Sequence, residues 1–133
     1  MVTEVLPRLA WACLELGEVG RAQGLLDLAL GPLRVQSYPI ALVDALGVQA
    51  RVAMRREHWP EALRALSEGL DLARAIPYPF GEGRLLHLMG MLHCRRQEPE
   101  SAREWLATAL AIFRLLGARK DLERTEQPVI ALG

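Results

Sequence analysis

Apolar residues recur along the chain at helical spacing, and the whole pattern repeats every 40 residues. Intervals of four, three and four residues keep apolar side chains on one face of a helix. The same stripe occurs three times, as Ala22, Leu26, Ala29 and Leu33, as Ala62, Leu66, Gly69 and Ala73, and as Ala102, Leu106, Ala109 and Phe113. It predicts three equivalent amphipathic helices.

A second stripe precedes each of these helices, so each 40-residue unit is predicted to contain two helices. Its members are Leu6, Leu9/Ala10 and Cys13, then Leu46, Ala50 and Ala53, then Leu86, Met89/Gly90 and His93. Polar segments at 15–20, 56–61 and 96–101 separate the paired helices. Tyr-Pro pairs at 38–39 and 78–79 separate one unit from the next, because proline suits the first turn of a helix.

The resulting prediction is an all-α chain that forms a single domain over residues 1–133. Three helix-turn-helix repeats span about 1–39, 40–79 and 80–117, and a C-terminal capping helix falls within 118–133. The predicted helices are 4–16, 20–35, 40–56, 60–75, 80–96 and 100–116, with a short one at 120–127.

The third copy resembles the tetratricopeptide repeat family. Its matching positions within 86–113 are Leu86, Met89-Gly90, Ala102, Leu106 and Ala109. The middle copy departs most, with Gln49-Ala50, Glu57 and Gly69 where the family has Leu-Gly, a turn glycine and alanine. The 40-residue period is similar to the helical arms of large signal-transducing ATPases and transcription regulators. The resemblance implies a right-handed α-solenoid that is a fragment of a larger regulator.

Composition excludes several classes of function. The 16 basic and 16 acidic residues give a formal net charge of zero, which argues against direct nucleic-acid binding. No glycine-rich phosphate loop or hydrolase motif occurs, and the prediction is a non-enzyme without cofactor. No signal peptide or membrane-length apolar run occurs either, so we expect a cytoplasmic location and no membrane partner.

Metal binding is not expected, although His87, His93 and Cys94 lie close in sequence. On a helix these positions point in different directions, and zinc needs about four converging ligands. Two cysteines do not make a disulfide framework.

The resemblance implies a concave binding wall formed by the first helix of each pair. Carried over by position, the wall contains Trp11, Asp44, Arg51, Arg55, Arg84, His87, Met91 and Arg95, together with Glu4, Pro7, Leu14 and Gly47. The hypothesis is that its four arginines contact the carboxylates of an acidic or C-terminal peptide, with Trp11 as an apolar anchor. The alternative is a solvated face whose arginines pair with nearby Glu and Asp.

Three function classes stay open. The first is a non-catalytic protein-interaction or scaffolding module with a protein or peptide partner. The second is an effector-sensing arm that binds a small ligand, and the third is self-association through exposed repeat ends as a homodimer. Tyr38 and Tyr78 are predicted to pack between units rather than to bind a ligand, and Trp59 and Trp105 to lie in the core or at its rim.

Overall fold

The computed structural model describes residues 2–35 and 38–133, with side chains from residue 6 onward. Within these residues it contains seven helices and no strand, which confirms an all-α solenoid of helical hairpins. The helices are α1 (Val2–Glu15), α2 (Val19–Val35), α3 (Pro39–Arg55), α4 (Trp59–Ala75), α5 (Pro79–Arg95), α6 (Pro99–Leu116) and α7 (Arg119–Leu132).

Equivalent helices begin 40 residues apart, as the sequence period predicts. The second helices begin at 19, 59 and 99, and the first helices α3, α5 and α7 begin at 39, 79 and 119. The prediction for the last helix was too short, because α7 continues through Pro128 to Leu132. A proline inside a helix removes one backbone donor but keeps a helical φ, and Ala131 and Leu132 after it are good helix formers.

The turn inside each pair has one left-handed residue at the same repeat position. These residues are Gly17, Glu57 and Gln97, with φ of 81°, 58° and 59°. The backbone N–H that follows each of them reaches back to the end of the first helix, as when His58 donates to the Ala53 carbonyl at 2.8 Å. The middle and third copies therefore keep the turn geometry without glycine, in a conformation that other residues adopt at a cost.

The Tyr-Pro pairs mark the junctions between units. Tyr38 and Tyr78 are the residues that precede α3 and α5, and each is followed by proline at the first helical position. Proline disfavours a helical backbone at the residue before it, so each pair ends one unit and starts the next.

Small residues let the helices approach closely. A methyl group at Gly90 on α5 would lie 2.5 Å from the side chain of Leu106 on α6, and one at Gly69 would lie 2.8 Å from Leu85 in the next unit. Every residue of the second-helix stripe is buried.

Two expectations for α1 were wrong. Leu9 is 48% exposed, since no described helix covers that side. Leu14 belongs to the core rather than to the concave wall.

The helices form two layers. The first helices α1, α3, α5 and α7 contact one another in succession and form an inner layer, while α2, α4 and α6 each pack on the outside of their partners. None of the described helices has the length and apolar character needed to cross a membrane. The inner layer is the surface on which the candidate site lies.

Candidate functional site

A groove with a volume of about 530 Å³ runs along the inner layer. All four inner helices line it, with single contributions from the second junction and from α6. Its lining residues are Pro7, Arg8, Trp11, Val43, Asp44, Gly47, Val48, Arg51, Tyr78, Gly81, Arg84, Leu85, His87, Leu88, Phe113, Asp121, Arg124 and Thr125. We call this surface the concave groove.

Most of the wall residues predicted from the sequence line the concave groove. They are Trp11, Asp44, Arg51, Arg84 and His87, joined by Pro7 and Gly47. They come together because first-helix positions in successive units point to the same side of the solenoid. The side chain of Glu4 lies outside the described residues.

Three predicted wall residues lie beyond the groove. Arg55 is exposed at the end of α3, and Met91 is half-buried against the core. The Arg95 guanidinium donates to the Met54 carbonyl at 2.7 Å and lies 5.1 Å from the centre of the Trp59 ring. Arg95 therefore ties α5 to the end of α3, and its long side chain serves a contact between units.

The concave groove has an excess of positive charge, whereas the chain as a whole is neutral. Its lining includes four arginines, Arg8, Arg51, Arg84 and Arg124, and two aspartates, Asp44 and Asp121. The whole chain has a formal net charge of zero. A cleft with an excess of one charge and low-dielectric walls concentrates ligands of the opposite charge. The groove is thus suited to anions.

Arg51 of α3 lies in the groove beside α1. Its guanidinium is stacked 4.0 Å from the centre of the Trp11 ring, and it donates to Glu15 at 3.2 Å. Burial lowers the pKa of Arg51; Glu15 opposes this effect, and the nearby charges of Arg55 and Arg124 add to it. Two neighbouring cations against one carboxylate leave local positive charge that an anionic ligand would neutralise.

A hydrogen-bonded pair lies nearer the start of α3 and links this helix to the second unit junction. The Tyr78 hydroxyl donates to Asp44 Oδ1 at 3.1 Å. Burial raises the pKa of Tyr78 to about 12, and the charge of Asp44 acts in the same direction. Asp44 as a residue is exposed, yet partial burial of its carboxyl raises its pKa. The hydrogen bond from Tyr78 and the charge of Arg84 oppose this rise. Tyr78 packs between units as predicted, but it is also a groove residue.

The floor of the groove contains a chain of hydrogen bonds between α5 and α7. His87 Nδ1 lies 2.9 Å from Thr125 Oγ1, and the Thr125 hydroxyl donates to the Asp121 carbonyl at 2.8 Å. Burial lowers the pKa of His87 to about 4, with a further contribution from Arg51 and Arg124 that Asp121 opposes. His87 is therefore neutral at pH 7. Arg84 of α5 also donates to α7, to the Asp121 carboxylate at 3.4 Å.

The sequence reasoning missed the contribution of α7, because it assigned this helix to a cap. The signal was present in the repeat register, since Asp44, Arg84 and Arg124 occupy equivalent positions 40 residues apart. The helix packs on α5 as well as on α6, as a first helix of a fourth unit would. Arg124 makes no ion pair with any side chain that the structure describes.

The two histidines of α5 do not converge. His93 Nδ1 lies 3.0 Å from Glu98 and its ring is stacked on Trp105, on the side of α6, whereas His87 faces the groove. Cys94 is half-buried, and burial raises the pKa of its thiol. Each of these groups has a local structural environment of its own.

Comparisons with known proteins give a fold and no family. No family model and no curated protein matches this chain. Among solved structures, the chain is similar to the crystal structure of aspartyl phosphate phosphatase F from Bacillus subtilis, with a TM-score of 0.79 at 14% sequence identity. The similarity covers 98% of this chain and 39% of that protein, so this chain spans well under half of its length. The chain therefore shares a helical-repeat fold with that protein.

Proposed function

We propose that this chain is a non-catalytic interaction module that binds an acidic peptide segment of a partner protein in its concave groove. The observation that carries the proposal is the set of four arginines on one inner surface of a chain with no net charge. Arginine suits this task because its planar guanidinium binds carboxylates through two parallel hydrogen bonds.

Apolar surface in the same groove supports a peptide rather than a bare ion. Trp11 is 39% exposed, and the half-buried Leu88 also lines the groove. Binding energy in protein interfaces concentrates in aromatic and arginine residues, and the stacked pair of Arg51 on Trp11 combines both. A ligand with carboxylates and an apolar stem would match this lining.

Two of the arginines already have acidic partners, which bears on the alternative of a solvated, self-paired face. Arg51 is paired with Glu15 and Arg84 with Asp121, and both pairs are solvent-accessible on one side. Exposed pairs contribute about 0–1 kcal/mol each, so a ligand carboxylate can join or replace them at small cost. The proposal therefore depends most on Arg124, which has no ion pair among the described side chains, and on Arg84, whose paired side chain is still half exposed.

The test is the binding of a fluorescently labelled hexaglutamate peptide, followed by fluorescence anisotropy, with hexaglutamine as the uncharged comparison. The double variant Arg84→Glu/Arg124→Glu should bind at least about tenfold more weakly, since each substitution replaces an attractive charge by a repulsive one. The matched control is Arg64→Glu/Arg114→Glu, which changes the net charge equally on the exposed side of α4 and α6.

The control separates a site from bulk electrostatics. Equal weakening by both double variants would mean that only net charge matters, and the proposal would be wrong. It would also be wrong if hexaglutamate bound no better than hexaglutamine at low salt, where charge attraction is strongest. Circular dichroism of each variant establishes that the fold is retained.

A small anionic effector is the second candidate. A groove of about 530 Å³ lies within the range of roughly 300–1,000 Å³ that is typical of small-molecule sites. A thermal-shift series with citrate and with glutamate tests it, because a ligand that binds only the folded state raises Tm. A rise with either compound that Arg84→Glu/Arg124→Glu abolishes would favour an effector-sensing arm over peptide binding.

The name of the structural neighbour raises one further activity, the hydrolysis of aspartyl phosphate. We favour binding over catalysis because a general base works best with a pKa near the working pH, whereas burial lowers the pKa of His87 to about 4. We further propose that the chain is a tetratricopeptide-like arm of a larger regulator, since its 40-residue period is similar to that of such arms.

A further inference from the structure

We infer that His87 presents a neutral hydrogen-bond acceptor, Nε2, to the concave groove, and that this acceptor selects ligands with an N–H group next to the bound carboxylate. In a peptide, that donor is a backbone amide of the acidic segment. The inference deepens the proposed function and rests on it. Its basis is the chain of hydrogen bonds from His87 through Thr125 to the backbone of α7.

The positions of the protons follow from the donors available. Thr125 has one hydroxyl proton, and its hydroxyl donates that proton to the Asp121 carbonyl at 2.8 Å. Its oxygen can then only accept at the 2.9 Å contact with His87, so His87 Nδ1 carries a proton and donates. Thr125 is fully buried, which keeps water from competing for this bond. A neutral imidazole has one N–H, and Nε2 is therefore an acceptor.

The charged groups around the ring favour this neutral form. Arg51 approaches from α3 and Arg124 from α7, and both disfavour an imidazolium, while Asp121 favours it. Burial is the largest contribution, and together these effects lower the pKa of His87 to about 4. The acceptor therefore persists across the neutral pH range.

The rest of the groove makes this acceptor distinctive. The four arginines only donate hydrogen bonds. The two aspartates also accept, Asp44 from Tyr78 and Asp121 from Arg84, but their carboxylates repel a bound carboxylate. His87 Nε2 is thus an acceptor without a negative charge, and it does not repel a carboxylate bound by the arginines beside it.

A ligand that carries only carboxylates would leave Nε2 without a partner once water is displaced. An unpaired buried acceptor costs free energy, so such a ligand binds less tightly than one with a neighbouring donor. The backbone N–H of an acidic residue lies close to its own carboxylate and can fill this place. His87 would then be a specificity-determining residue of the groove.

The first experiment measures the tautomer in the unliganded protein. Long-range ¹H–¹⁵N correlation spectra at pH 7 should show His87 with a protonated Nδ1 and an unprotonated Nε2. Thr125→Val removes the acceptor while keeping the side-chain shape, and it should move population to the other tautomer. A wild-type ring with its proton on Nε2 would overturn the inference.

The second experiment is a double-mutant cycle between protein and peptide. Its peptides are hexaglutamate and its backbone N-methylated analogue, which has the same charge and no amide N–H. Its proteins are the wild type and His87→Asn, whose amide can still donate to Thr125 but has no acceptor at the Nε2 position. The preference for the unmethylated peptide should be about three- to tenfold larger in the wild type, as one hydrogen bond implies.

The outcomes separate this inference from the proposed function. Equal preferences in both proteins would overturn the role of His87, because steric effects of the methyl groups act on both. If hexaglutamate binding also proved independent of Arg84 and Arg124, the proposed function itself would be wrong. Arginine-dependent binding with equal preferences would overturn only the present inference.

Discussion

The environment of His87 predicts how the stability of the chain depends on pH. In the fold its pKa is about 4, against 6.5 for an unperturbed histidine. Between these values the unfolded chain binds more protons than the folded chain, so the free energy of unfolding falls as the pH falls. The contribution of His87 to the free energy of unfolding is complete above pH 6.5, declines between pH 6.5 and pH 4, and is lost below pH 4. The difference between the folded and unfolded pKa of His87 corresponds to a loss on the order of 3 kcal/mol.

The assay is urea denaturation followed by circular dichroism at several pH values from 7 to 4. The reference is His87→Asn, which shares every other titrating group, so only the difference between the two curves is interpreted. We expect the wild type to lose on the order of 2–3 kcal/mol relative to the variant over this range. If the two curves stay parallel to within about 0.5 kcal/mol, His87 titrates alike in the folded and unfolded states, and the buried neutral histidine is wrong.

Three further predictions concern packing, turns and the junction. Gly90→Ala should lower the free energy of unfolding by about 1–3 kcal/mol in urea denaturation, because the added methyl would overlap a buried leucine. Gly24→Ala has open space around it and should not be destabilised, so an equal gain in stability at both positions would contradict the packing. Glu57→Gly should raise Tm, with a gain of up to about 1 kcal/mol from relief of the left-handed φ, and an unchanged or lower Tm would contradict this. Tyr78→Phe should cost about 1 kcal/mol at pH 7 and raise the pKa of Asp44, measured by NMR titration; a lowered pKa would contradict the hydrogen bond.

The sequence predicted the repeat architecture well because a single physical signal recurs three times. Residues such as Ala22, Ala62 and Ala102 occupy one position of an amphipathic helix, and all three are fully buried. Burial of one helical face is a local property of the pattern, so periodicity alone is sufficient to place it. The common register of the first helices then indicated which residues share the inner surface.

The groove was predicted only in part, because contacts between side chains depend on more than position. Arg95 occupies a first-helix position like Arg55, yet its guanidinium reaches the carbonyl of Met54. Nothing in the repeat pattern indicates where a long, flexible side chain ends. The bond between His87 and Thr125 joins two residues 38 positions apart, and predicting it required the position of α7 on α5. Reading α7 as the start of a fourth unit would have predicted that position.

An amide chemical-shift map tests directly whether the concave groove is the binding surface. Hexaglutamate is titrated into ¹⁵N-labelled protein while glycine resonances are followed. Gly47 and Gly81 line the groove, whereas Gly24 and Gly31 lie in α2 with open space around them. If the peptide binds in the groove, Gly47 and Gly81 should show saturable shifts, and Gly24 and Gly31 should show none. Shifts confined to α2, or equal shifts at all four glycines, would contradict binding in the groove.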